Sequence, residues 1–167
     1  SPAGPIIRFV NQVAARFPDK IISTLAYQYS RQAPKAVRPA DNVQIMLCTI
    51  ELNRSLPIEE DPSSRQFLQD IVDWGKISRN LYLWDYTVNY ANFIQPFPNL
   101  QTLGPNLRFF AAQGVQGVFE EGDYLNPGGE LQELRLYLLA KCLWNPARDP
   151  REVIDDFVRG YYGAAAP

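Results

Sequence analysis

Four short β-prone runs, set between helical or irregular stretches, limit this chain more than any other feature. Lys20–Tyr27, Val43–Ile50, Leu81–Tyr86 and Val115–Phe119 read as strands, and the second is apolar on both faces. Ile6, Phe9, Val10, Val13 and Phe17 fall at helical spacing after Pro5, which suits a first helical turn. Ser63–Ile77 reads as a helix with a Ser63/Gln66 capping box and a buried stripe of Phe67, Leu68, Ile71 and Val72. Asn99–Gln113 follows, with Gly114 as its stop. Glu130–Leu143 is Leu-rich enough to predict burial on most sides. A last helix starts at Asp149-Pro150 and ends at Gly163. The segment from Gln28 to Asn42, with Pro34 and Pro39, reads as an irregular connection.

Strands alternating with helices predict an α/β fold, a parallel sheet covered by helices. Two topologies fit four such units. A small open parallel sheet would be complete at 167 residues, whereas a full (β/α)8 barrel takes ~250 residues and four strands supply half of it. The opening Ser1-Pro2-Ala3-Gly4-Pro5 has no initiator methionine and no signal-peptide pattern, so it reads as a mature start or a piece of something longer.

Several chemistries are removed by composition. With a formal net charge of -2, nothing favours nucleic acid. No apolar run reaches the ~18 residues of a membrane span. The chain has no histidine, and its two cysteines, Cys48 and Cys142, sit in apolar runs as expected of buried free thiols. A nitrogen–sulfur metal site and His-based triads therefore drop out, and neither a metal nor a cofactor is expected. Acid–base chemistry is left to carboxylates, tyrosines or lysines.

In parallel β/α folds the site forms at the C-terminal ends of the strands. The runs end in Ala26-Tyr27-Gln28-Tyr29, Thr49-Ile50-Glu51, Trp84-Asp85-Tyr86 and Phe119-Glu120-Glu121, so three of four finish with a carboxylate. Sugar hydrolysis needs such a layout: two carboxyl groups flank the scissile bond, and aromatic rings pack on the apolar faces of the sugar. Glu51, Glu120 and Asp85 are the catalytic candidates. Tyr27, Gln28, Tyr29, Trp84, Tyr86, Asn89 and Tyr124 are the candidates for substrate binding, beside Tyr90 and Asn92. Each carboxylate has a plainer reading too, as a cap or as the partner of a loop arginine such as Arg31 or Arg54. Glu121, next to Glu120, reads as a solvated neighbour facing the opposite side. Pro127-Gly128-Gly129 before a helix is a weak anion-binding signal.

Seven strings in order strengthen one reading. They are Gly4-Pro5-Ile6-Ile7-Arg8-Phe9-Val10-Asn11, Thr24-Leu25-Ala26-Tyr27-Gln28-Tyr29, Leu47-Cys48-Thr49-Ile50-Glu51, Leu83-Trp84-Asp85-Tyr86, Pro96-Phe97-Pro98-Asn99-Leu100, Gly117-Val118-Phe119-Glu120 and Gly128-Gly129-Glu130. Together they resemble domain-of-unknown-function family 4838, a bacterial group of large secreted or surface proteins similar to glycoside hydrolases with β/α barrels. The resemblance implies that residues 1–167 are one domain's portion, the later strands of such a barrel. It implies that Tyr27, Gln28, Glu51, Asp85 and Glu120 point into the barrel mouth and that the ligand is a carbohydrate. Half a barrel would pair with the missing N-terminal half or with a second copy. Relatives carry cysteines and a histidine where this chain has Leu52, Asn53 and Leu56, so no metal is expected in that loop. A secreted or cell-surface location follows from the resemblance alone. The competing function is a carbohydrate-binding domain without chemistry.

Overall fold

The four runs pair side by side in the order in which they occur, β1-β2-β3-β4, and every pairing is parallel. The strands are β1 (Ile22–Ala26), β2 (Val43–Cys48), β3 (Leu81–Tyr86) and β4 (Gly117–Glu121). The helices are α1 (Ala3–Arg16), α2 (Arg65–Ile77), α3 (Leu100–Ala112), α4 (Gln132–Trp144) and α5 (Pro150–Tyr162). This is a computed structural model, and it describes residues 1–125 and 128–166.

Sequential parallel neighbours require crossovers of one hand, which bring the intervening helices to one side of the sheet. The core lies there. Val43, Ile45 and Leu47 of β2 and Leu81 and Leu83 of β3 pack with Ile7, Phe67, Trp74, Leu107 and Phe110. Strand side chains alternate, so the residues between them face the other way. On that second face Leu25 is 46% and Phe119 49% exposed, and among the described residues no helix covers it. Parallel sheets are ordinarily buried on both faces. A sheet wound on one side fits half a β/α barrel or an open parallel sheet.

Element boundaries moved for identifiable reasons. The Ser63/Gln66 capping box does not form: Asp61 caps instead, taking Ser63 N at 3.0 Å and Ser63 Oγ at 2.6 Å. Gln66 turns to Asp70 Oδ1, 2.9 Å away. Trp74 rather than Val72 continues the buried stripe of α2, Val72 being 39% exposed. After α3, Gly114 takes φ 77° and Val115 N bonds back to Phe110 O, so Val115 closes the helix and β4 starts two residues later. That shift brings both Glu120 and Glu121 inside the strand. In α4, Leu138 and Leu139 are buried, while Leu136, Leu143 and Trp144 (91%) are exposed, so the helix is not enclosed on most sides. α5 begins as expected, with the Asp149 side chain accepting from Arg151 N. Both cysteines are buried and free.

Candidate functional site

The phase of β3 decides what faces where. Leu81, Leu83 and Asp85 are buried on the helix side, and Tyr82, Trp84 and Tyr86 are partly exposed on the other. Register carries this phase to the neighbouring strands: Cys48 is opposite Trp84, Phe119 opposite Trp84, and Glu121 opposite Tyr86. The helix-free face therefore ends in Cys48, Trp84, Tyr86, Phe119 and Glu121. Their rings form a continuous aromatic array. Trp84 meets Phe119 edge-on at 4.8 Å and stacks with Tyr86 at 6.4 Å; Tyr86 meets Tyr90 at 5.9 Å. Tyr90 then packs against Phe93 at 5.9 Å and Tyr124 at 6.3 Å.

Glu121 sits inside this array. Its Oε2 accepts the indole N–H of Trp84 at 2.6 Å, and its backbone oxygen accepts from Tyr90 OH at 2.7 Å and Thr87 Oγ1 at 2.8 Å. Glu51 approaches from the loop after β2. Arg31 holds it at 2.8 Å through one arm of the guanidinium while Nε binds the buried Asp70 at 2.8 Å. Both glutamates lie near enough to Cys48 for their charges to act on its thiol. Burial raises its thiol to about 11; a Tyr86 hydrogen bond opposes that, and the charges of Glu51 and Glu121 add to it. Tyr86 is pushed up by burial first, then by Cys48, Tyr27 and Glu121, which places Tyr27 in the same neighbourhood. Burial likewise raises Tyr90, with Glu121 adding to it.

A second layer lies behind the sheet. Asp85 Oδ1 accepts from Thr49 Oγ1, from Arg54 at 2.9 Å and from Tyr86 N at 2.9 Å. Arg54 also reaches Thr49 O at 2.5 Å, and its guanidinium carbon lies 5.8 Å from the Tyr86 ring centroid. Glu120 pairs in register with Asp85 and points into a cavity of about 120 Å3 that α4 helps to enclose. Burial first, then the Asp85 charge, lifts the Glu120 carboxyl well above the usual range, against Arg54. Among the described residues no group of three or more His, Cys, Asp or Glu is arranged to hold a metal ion, and no helix is long and apolar enough to cross a membrane.

Over residues 1–167 the chain matches the family described as Domain of unknown function (DUF4838). The chain belongs to that family. No curated protein and no solved structure matches it.

In this DUF4838 chain the expected residues fall into separate groups. Tyr27, Trp84 and Tyr86 gather at the helix-free face, and Tyr124 joins the far end of the array, while Glu51 lies on the loop after β2 in the grip of Arg31. Asp85 and Glu120 lie on the helix side, one strand apart. Gln28 holds φ 46°, a left-handed backbone uncommon for a residue with a side chain, at the turn after β1. Tyr29 beside it is 73% exposed and lines a groove of about 450 Å3 along β1 with Tyr27 and Leu25. Asn89 organises its own loop, accepting from Ala91 N at 3.1 Å. Of the anion-binding signal, Pro127 lies outside the described residues; Gly129 N donates to Gln132 Oε1 at 3.0 Å.

The arginine partners weighed for the carboxylates are present, Arg31 on Glu51 and Arg54 on Asp85. Glu121 is not a solvated bystander: the indole bond ties it down in a half-buried position. The signal for it was in Leu81-Tyr82-Leu83-Trp84-Asp85-Tyr86. There Asp85 shares the phase of the two leucines, so the residue paired with Tyr86 in β4 must face outward with the aromatics.

Proposed function

We propose that this DUF4838 chain is a glycoside-hydrolase-like, carbohydrate-active domain whose site is the helix-free face at the strand ends. One observation carries the reading: a continuous aromatic array with the Glu121 carboxylate bonded into it and the Glu51 carboxylate on the loop after β2, both near enough to Cys48 for their charges to act on its thiol. Sugars offer apolar C–H faces to rings, and glycosidic cleavage needs one carboxyl as acid and another as base or nucleophile. Trp84, Tyr86 and Tyr27 stack on the sugar, with Tyr124 extending the platform. Gln28, Tyr29 and Asn89, on the loops above, bind hydroxyls. Glu51 keeps the acid–base role expected of it, and Glu121 takes the acid–base place expected of Glu120. Asp85 acts from behind, holding Arg54 under the Tyr86 ring.

The sheet wound on one side supports a barrel-half assignment, with the open face and edges closed by further strands or by a second copy. A secreted or cell-surface location goes with a glycan substrate.

A second reading is favoured by the engagement of both carboxylates, Glu51 by Arg31 and Glu121 by Trp84. On that reading the face binds carbohydrate without cleaving it. A thermal-shift screen of the protein against neutral, amino and uronic oligosaccharides tests the sugar site common to both. A sugar should raise the melting temperature, and Trp84→Ala should abolish the rise. A shift that survives Trp84→Ala, or no shift with any sugar, rejects the platform.

A further inference from the structure

The cavity behind β4 is chemically unfinished. Its wall includes Glu120, Arg135, Glu130, Phe93 and Leu139. Among the described residues, Glu120 Oε2 and Arg135 Nε are buried there without a hydrogen-bond partner. The rest of the Arg135 guanidinium is engaged, donating to Asn99 Oδ1 and, at 2.5 Å, to Glu130 Oε2. Leaving one acceptor and one donor buried and unpaired is costly, and a ligand or water supplying the complementary pair removes the cost.

The acceptor belongs to a carboxyl that no basic side chain of the described residues neutralises by contact: Arg54 is held by Asp85 and Arg135 by Glu130. Burial and the adjacent Asp85 charge both work against ionised Glu120. A cation in the cavity would offset both. The donor, Arg135 Nε–H, calls for a neutral oxygen close to that cation.

We propose that this cavity is a subsite for a 1,2-amino alcohol, its ammonium seated on Glu120 and its hydroxyl oxygen accepting from Arg135 Nε–H. At about 120 Å3 the space takes one edge of a small molecule rather than a whole sugar ring. Phe93 is also the end of the aromatic array, meeting Tyr90 and Tyr124 at 5.9 Å each. A sugar lying on the array thus adjoins the cavity. On the carbohydrate reading, on which this step alone rests, the substrate class is a glycan carrying a free 2-amino sugar.

Calorimetric titration of the protein with 2-aminoethanol, and with its neutral isostere ethylene glycol, tests the subsite. 2-Aminoethanol should bind at least about tenfold more tightly than ethylene glycol. Glu120→Gln, which removes the ionisable carboxyl and keeps the shape, should erase that preference. Glucosamine should then outcompete N-acetylglucosamine for the same cavity. Equal binding of the two isosteres, a preference that survives Glu120→Gln, or no binding of 2-aminoethanol overturns the proposal. Because 2-aminoethanol is too small to use the aromatic platform, its binding is read independently of the sugar site. Loss of the sugar shift with intact 2-aminoethanol binding counts against the platform alone.

Discussion

The indole N–H of Trp84 donates to Glu121 Oε2 across 2.6 Å, joining an aromatic platform to a carboxylate on the neighbouring strand. The bond exists because β3 and β4 pair in a register that sets Trp84 opposite Phe119 and Tyr86 opposite Glu121. Three rings and a carboxylate thereby share one surface, with no helix over it among the described residues.

Asp85 and Arg54 hold the layer beneath. Arg54→Ala leaves the Asp85 carboxylate buried beside Glu120 without its cation. Breaking a buried pair in this way costs about 3–5 kcal/mol. Urea unfolding should show that loss, while Asp19→Ala, which removes an ion pair exposed on both sides, should change stability by less than about 1 kcal/mol.

Glu120 should make stability fall as pH rises. Its folded carboxyl titrates above the ordinary value of 4.5, so the folded state binds the proton more tightly than the unfolded one. The contribution is fully present below pH 4.5 and is lost as pH climbs through the raised value. Melting curves of wild type and Glu120→Gln should nearly coincide in profile at low pH. Above it, the variant should become progressively more stable relative to wild type. A constant offset across the range would show that the carboxyl is not perturbed.

Gln28 spends conformational energy at the turn after β1. A left-handed backbone costs a residue with a Cβ roughly 1–2 kcal/mol, and glycine adopts it freely. Gln28→Gly should therefore hold or raise the melting temperature, whereas glycine at most other positions lowers it. If Gln28 binds a hydroxyl, the same variant should weaken the sugar-dependent shift.

Strand existence and parallel pairing were legible because β2 and β3 are short, apolar and bounded by turn chemistry. The β3 boundaries agree to the residue, Leu81–Tyr86. β4 was misplaced by two residues because Val115 looks like a strand residue, and only the Gly114 turn, with Val115 N bonded to Phe110 O, shows that it belongs to the end of α3. That slip matters more than its size. It left Glu120 and Glu121 beyond the strand, where alternation no longer says which faces the aromatics. The side of Asp85 was legible: its phase with Leu81 and Leu83 sets it on the helix side. Loop partners such as Tyr90 on the Glu121 backbone oxygen depend on chain paths that no local pattern encodes.

Turnover of a glycan substrate by Glu51→Gln and Glu121→Gln variants tests the central claim most directly. Both substitutions keep the side-chain shape and remove the ionisable group. Loss of a catalytic carboxyl should lower kcat by about 10²-fold or more with little change in the sugar-dependent melting shift. Wild-type turnover in both variants would contradict a catalytic site on the helix-free face.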